Sequence, residues 1–462
     1  MNTILDQFID FIDQIQKTNN ASTSIFGSFA QPVENLNIEK VIESYNSLSY
    51  FYWRKPNDDC ALTAFDKLLE LNSENFNSTE NFNLFLTDLK KRYTTNFSEF
   101  GIEGVPVYFG ASKFTDTDKT VLWNDFGNEN WFIPEFILLK KFGKSFLVFN
   151  FDLDNTNKEF VKNRFLKTFS QITSANSTER KKEETVNIIP KCNEEADKLH
   201  WKENIDKALD LITREEFQKI VISRQVEFEI SSVPQITFLL EKLSERYSQC
   251  YVFAYKNGGS VFFGASPEKL AKVKNGWIEA DALAGSIPRG KTEAEDSGFA
   301  DELLLSKKNL IEQKTVVDFI ASSFKEYSSE IVYEEKPTIR KLPNIQHLWT
   351  PIKAKLSTDR SLIDILRNIH PTPAICGEPC NLALNSINDI ENYERGLFAG
   401  MIGWGNFENE GEFAVAIRSG LLKDEMLYAF AGCGIVEGSD PELEFKETEL
   451  KLQPILSLFE NG

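Results

Sequence analysis

Apolar residues recur along this chain with two different spacings. In MNTILDQFIDFIDQIQKTNN, residues 1–20, acids and apolar residues alternate at helical spacing, which predicts an amphipathic helix and not a signal peptide, since no basic n-region precedes it. From residue 219 the spacing shortens to that of strands. KIVISRQVEFEI is followed by YVFAYKNGGSVFFGAS, which predicts two strands about a KNGG turn, and then by KLAKVKNGWIEADAL with an NG turn. NFENEGEFAVAIRSGLLKDEMLYAFAG repeats the pattern near the C-terminus. Helical spacing returns in DELLLSKKNLIEQKTVVDFIASSFKEY, SLIDILRNI and LEFKETELKLQPILSLFE. Hairpins interrupted by grouped helices predict an α+β fold and argue against the β-α-β alternation of doubly wound sheets. Residues 171–198, QITSANSTERKKEETVNIIPKCNEEADK, are poor in apolar residues and read as a loop or linker.

Composition narrows the partners. The 462 residues are 41% hydrophobic and include 38 Phe, ample for a large core. Fifty-one Lys plus Arg against 70 Asp plus Glu give a formal charge of −19, which repels nucleic acid and anionic membranes. No apolar run approaches the roughly 18 residues needed to cross a bilayer. The expectation is a soluble, cytoplasmic protein with no nucleic-acid or membrane partner. The six cysteines are dispersed except for Cys376 and Cys380, and only three histidines exist, so neither a disulfide framework nor a zinc site is expected.

Three motifs suggest chemistries that their contexts do not support. FLVFNFDLDNT ends a strand in D-x-D-x-T, as in phosphatase nucleophile loops, but the parallel β-α-β surroundings are missing. FFGASPE departs from the nucleophile elbow G-x-S-x-G because Glu268 occupies the second glycine position. AGCGIVEG has the wrong glycine spacing for a dinucleotide fingerprint, and the acids that follow would repel a pyrophosphate.

Carboxylates supply the better lead. Glu447 falls four residues after Leu443 and three before Leu450, which predicts a place on the apolar stripe of its helix, with Glu444 close by. Glu312 falls seven residues after Leu305 and four before Val316, again on an apolar stripe. Paired glutamates with no nitrogen or sulfur donor suit Mg²⁺; pairing of each with a buried Lys or Arg is the alternative. In KIVISR, alternation puts Lys219 on the side of Val221 and Ser223, facing the sheet interior or snorkelling to the surface. To act as a base near neutral pH, a lysine must fall by about 3 pH units from roughly 10.4. Glu268 follows a strand at a bend, where it reads as an acid or as a cap.

As a set, KIVISR, FFGASPEKL, ALAGSIPRG, LLLSKKNLIEQ, LPNIQHL, HPTPAICGEP, YERGLFAGMIGW, GEFAVAIRS and FAGCGIVEGSDPELEFKETELK resemble the chorismate-utilising enzymes, in family order across residues 200–457. The resemblance implies that family's α+β fold of layered antiparallel sheets with flanking helices. It implies a catalytic region over 195–460 and an N-terminal part, 1–190, completing one compact unit.

The resemblance to isochorismate synthases is closest. It implies Mg²⁺-dependent, reversible water attack at C2 of chorismate with loss of the C4 hydroxyl, serving menaquinone or catecholate siderophore synthesis. By motif, Lys219 matches the base, Glu268 the acid, and Glu312 and Glu447 the metal ligands, with Glu444 assisting. Arg418, Gly432, Lys451, Ser286, His347 and Ala374 match substrate contacts. Ala284 stands where aminodeoxychorismate synthases tend to have lysine, and Lys219 where anthranilate synthases tend to have glutamine; both favour water over ammonia. A monomer without a glutamine amidotransferase subunit is therefore expected. Gln313 stands where the family usually has histidine, and Thr315 where some members have an acid. Salicylate synthase, which also eliminates pyruvate, is the alternative activity. A non-catalytic chorismate-binding regulator and an acidic metal-binding scaffold are the non-enzyme alternatives.

Overall fold

The period-2 stretches form strands that pair almost wholly antiparallel in the computed structural model of the chain. The structure describes residues 2–18, 25–45, 49–58, 60–72, 79–116, 120–141, 143–154, 156–176, 185–357 and 360–460. Among these, 21 strands join in one continuous hydrogen-bonded network flanked by α-helices, the expected α+β class. The single parallel pair described joins Phe26–Ser28 to Tyr93–Thr95.

The turn signals proved local and reliable. Tyr251–Asn257 pairs with Ser260–Ser266, and Lys269–Lys274 with Trp277–Pro288, each about its NG-containing turn. The N-terminal helix spans Asn2–Thr18 and buries Phe8, Ile12 and Ile15, which matches its pattern.

Two expectations need correction. Residues 171–198 are not one loop: the helix Lys158–Asn176 enters the stretch, the short strand Ile188–Pro190 pairs with Phe228–Ile230, and the helix Glu194–Thr213 begins before its end. Residues 177–184 lie outside the described residues. The long helical stretch also divides, into Glu293–Leu305 and Lys307–Lys325, because the Ser306 side chain accepts a hydrogen bond from Asn309 N and restarts the helix.

The network has two arms. In one, Ser49–Lys55, Tyr251–Asn257, Ser260–Ser266, Ser419–Lys423, Met426–Ile435 and Lys219–Ile230 pair in that order. In the other, Tyr108–Ser112, Met401–Gly405, Gly411–Val415, Lys269–Lys274, Trp277–Pro288 and Ile345–Leu356 follow one another. N-terminal strands open both arms, so the described strands before residue 153 belong to the same sheet as the rest.

Aromatic packing ties the first arm to that N-terminal part. Trp123 packs on Phe262 and Phe430 with ring centroids 5.5 and 5.7 Å apart, and its indole N–H donates to Glu394 O at 3.0 Å. Hydrogen bonds hold the described residues at the strand end, Asp152, Asp154 and Thr156. Asp154 accepts from Ile25 N at 3.0 Å, the Thr156 hydroxyl donates to Asp152 O, and the strand's described partners are antiparallel.

Candidate active site

The chain crosses between the arms at two adjacent places, and each crossing carries a charged residue. Ser266 ends a strand of the first arm and Lys269 begins one of the second, leaving Glu268 in the bend. Val415 ends a strand of the second arm and Ser419 begins one of the first, leaving Arg418 between them. The crossings are laced together: Ser266 Oγ donates to Val415 O at 2.6 Å, Ala265 N to Arg418 O at 3.1 Å and Val415 N to Glu268 O at 3.2 Å. Gly264 permits this approach, since a Cβ there would stand 2.6 Å from Arg418 O. Arg418 itself adopts a left-handed backbone with φ 52°, a conformation costly for a long side chain and held by this lacing.

Beside the crossings lies a cavity. Glu268, Arg418, Ser286, His347, Ala374, Gly432, Lys451, Glu312 and Glu447, nine of the eleven expected site residues, line it. Lys219 stands just behind the wall with its Nζ 2.9 Å from Glu312 Oε1. Glu444 is directed elsewhere, to Lys308 Nζ at 3.1 Å.

Glu268 is 2% exposed. Burial, helped by the nearby charge of Asp281 and only partly opposed by Lys219, Arg418 and Lys451, pushes it up to about 8. Its backbone N–H donates to Ser266 Oγ at 3.2 Å, which fixes the bend. Its Oε1 has no hydrogen-bond partner among the described residues, a costly arrangement unless a ligand meets it.

His347 and Arg418 define one another's protons. Arg418 Nη2 lies 3.1 Å from His347 Nε2, and a guanidinium only donates, so Nε2 must accept. The ring proton is then on Nδ1, which faces Gly285 O at 3.1 Å and Ser286 Oγ at 3.1 Å. Burial and the charges of Arg418 and Lys451 hold His347 well below its usual range, so it is neutral at physiological pH. The Ser286 hydroxyl proton therefore remains available to the cavity, as does Arg418 Nη1, which is buried without a partner among the described residues.

Lysines neutralise the carboxylates. Burial opposes ionisation of Glu312, but Lys219, Lys451 and Lys308 outweigh it and hold the group below the usual carboxylate range. Lys451 Nζ lies 2.7 Å from Glu447 Oε1 and donates to Gly432 O at 2.8 Å. A Cβ on Gly434 would fall 2.8 Å from Lys219 Cε and 2.9 Å from Glu312 Oε1, so that position must be bare for the pair to form.

The stripes predicted from helical spacing differ from those observed. Leu443 is 64% exposed, and the buried face of helix Pro441–Leu456 is Glu444, Phe445, Thr448, Leu452 and Ile455. Glu447 lies at the edge of that face. Leu305 is 80% exposed because it ends its own helix and shares no face with Glu312 across the break at Ser306. Both glutamates reach the cavity from helix flanks, by a route the spacing did not describe.

Glu312 and Glu447 fit a magnesium ion in kind, as hard oxygen donors on one cavity; each is paired here with a lysine ammonium. No group of three or more His, Cys, Asp or Glu able to hold a metal occurs among the described residues, so the fit rests on two carboxylates with oxygens from water or substrate. Gln313 is turned away into the sheet, donating to Ala282 O at 3.0 Å and Thr350 Oγ1 at 3.1 Å.

Sequence reasoning missed the apolar wall and its support. Phe398 stacks on Phe430 at 5.3 Å, and both line the cavity with Ile375, Ile417 and Leu283. Arg395 is clamped by Glu391 at 2.6 Å and donates to the carbonyls of Ile375 and Val221. The i, i+4 spacing of Glu391 and Arg395 was the available signal.

Comparison with known proteins identifies the family and the fold. A family model described as "Chorismate binding enzyme" matches residues 11–460. The isochorismate synthase MenF of Bacillus subtilis (strain 168) is 31% identical over 462 aligned residues, covering 97% of this chain and 96% of that protein. A salicylate biosynthesis isochorismate synthase of Pseudomonas aeruginosa is 34% identical over 256 residues, 55% of this chain and 54% of that one. The crystal structure of a putative 2,3-dihydroxybenzoate-specific isochorismate synthase, DhbC, from Bacillus anthracis aligns with a TM-score of 0.70 and 25% identity, over 91% of this chain and 98% of that one. MenF from Escherichia coli shares the fold with a TM-score of 0.78 and 20% identity, over 99% of each chain.

Proposed function

The chain belongs to the chorismate-binding enzyme family, and from that membership we propose that it is an isochorismate synthase. It adds water at C2 of chorismate and releases the C4 hydroxyl, reversibly. The observation that carries this reading is Glu268: a carboxyl on the cavity wall, held protonated at neutral pH by burial, with an oxygen that no described residue engages. Such a group is suited to give a proton to a departing hydroxyl.

Lys219 takes the proton of the attacking water, its amine lying 2.9 Å from Oε1 of Glu312 on the cavity wall. Arg418, through the free Nη1, and Lys451 bind substrate carboxylate, while the neutral His347 holds Arg418 Nη2. Ser286 donates its hydroxyl, and Ala374 and Gly432 shape the wall. Mg²⁺, held by Glu312 and Glu447, would supply the positive charge that a substrate carboxylate requires in a buried site. Glu444 acts at one remove, by fixing Lys308.

The nucleophile is water, so no amidotransferase subunit is needed. Ala284 on the cavity wall supports this, as does Lys219. We further read the product as serving menaquinone synthesis, supported by similarity to MenF of Bacillus subtilis along nearly the whole chain. The test of the assignments is Lys219→Ala and Glu268→Gln, each expected to abolish chorismate turnover with the circular dichroism spectrum retained. A near wild-type rate in either variant would remove that residue from the mechanism.

A further inference from the structure

Two thiols lie against the strand that carries Lys219. Cys376 and Cys380 bring their sulfurs to 3.3 Å, and a disulfide needs about 2.05 Å, little more than an ångström of closure. Their surroundings are unequal. Cys376 is fully buried, whereas Cys380 is partly exposed and is the first residue of the helix Cys380–Ile390. A helix N-terminus favours a thiolate, and the Cys376 thiol beside it also lowers Cys380 below its ordinary value.

The link to Lys219 is direct. Val221 N donates to Cys376 O at 2.7 Å, Gln218 N donates to Glu378 O at 2.9 Å, and Gly377 and Glu378 pair with Ile220 and Lys219. The fit is close: a Cβ on Gly377 would stand 2.4 Å from Lys219 O. Residues Ala374 and Ile375, immediately before Cys376, line the cavity. Drawing Cys376 toward Cys380 therefore pulls on the backbone that sets the register of Lys219.

We propose that Cys376 and Cys380 are a redox modification site whose reversible disulfide shifts the segment that positions Lys219. A small-molecule disulfide such as oxidised glutathione is the oxidant. The Cys380 thiolate attacks one of its sulfurs and expels a glutathione thiolate, which takes the Cys376 proton. The Cys376 thiolate then attacks Cys380 Sγ and expels the second glutathione, so two protein thiols are oxidised and one external disulfide is reduced.

The test treats the full chain with oxidised glutathione and follows intact mass, disulfide-linked peptides and amide hydrogen exchange. The expected result is loss of two hydrogens, a Cys376–Cys380 link reversed by dithiothreitol, and altered exchange at Val221. Cys376→Ser and Cys380→Ser each abolish all three, while Cys192→Ser, at an exposed cysteine, leaves them unchanged. Both thiols remaining open to alkylation, or a link with no change in exchange, overturns the proposal. In its effect on rate the proposal rests on the isochorismate synthase reading, and oxidised protein is expected to lose about tenfold or more in turnover. An unchanged rate with the link formed also overturns it. If neither form turns over chorismate, it is the isochorismate synthase reading that has failed, and hydrogen exchange still decides the thiol proposal.

Discussion

Lys219 donates from Nζ to Glu312 Oε1 at 2.9 Å, with side-chain exposures of only 4% and 14%. A buried pair of this kind is weak evidence for stability as a unit, but removal of one partner strands the other. Lys219→Ala is therefore expected to cost about 3–5 kcal/mol as well as activity. Lys219→Ala combined with Glu312→Gln recovers most of the stability and none of the turnover. Thermal unfolding and product formation measured on the same samples separate the two effects.

The pH response follows from Glu268. Its folded value of about 8 exceeds the ordinary carboxylate range, so folding favours the protonated form. Its contribution to stability is present in full below the ordinary carboxylate range, is lost progressively as pH rises from there to about 8, and stays lost above that. Glu268→Gln, which cannot ionise, should gain stability relative to wild type as pH rises from the ordinary carboxylate range to about 8. In the wild-type protein, kcat/KM for chorismate should fall on the alkaline side with an apparent pKa near 8. An unchanged stability difference across this range contradicts the assignment.

Gly434→Ala puts a methyl group 2.8 Å from Lys219 Cε and 2.9 Å from Glu312 Oε1. Both contacts are to ends of flexible side chains, which can move at small cost to the fold. The expected outcome is a melting temperature close to wild type with a rate loss on the order of 100-fold, from misplacement of the base. A collapse of stability instead would mean that the pair is rigid.

Magnesium dependence distinguishes the three glutamates. Chelation is expected to abolish turnover and added Mg²⁺ to restore it. Calorimetric titration with Mg²⁺ should show affinity lost in Glu312→Gln and Glu447→Gln, each by roughly 10-fold or more. Glu444→Gln should change affinity much less, because Glu444 faces Lys308 and does not line the cavity. Equal losses in all three variants contradict the two-carboxylate site.

Local signals account for what the sequence revealed. The NG turns determined the hairpins, and alternation along Lys219–Ser223 put Lys219 on the interior side, where it is buried. Nine of the eleven candidate residues came from motifs that fold to line one cavity. What could not be read was long-range. No periodicity indicates that Glu268 and Arg418 occupy two crossings laced side by side, or that Trp123 supports Phe430 from 307 positions away. Helical spacing also misled where a cap intervened. Ser306 breaks the register between Leu305 and Glu312, and helical spacing puts the exposed Leu443 on the core side because a helix face does not declare what covers it.

The measurement that tests the central claim most directly is incubation of the purified chain with chorismate and Mg²⁺, without ammonia, with products separated by chromatography and identified by mass. Isochorismate, at the mass of chorismate and in a mixture approached from either side, is the predicted result. Salicylate with pyruvate, product formation that depends on ammonia, or chorismate bound and recovered unchanged would contradict it.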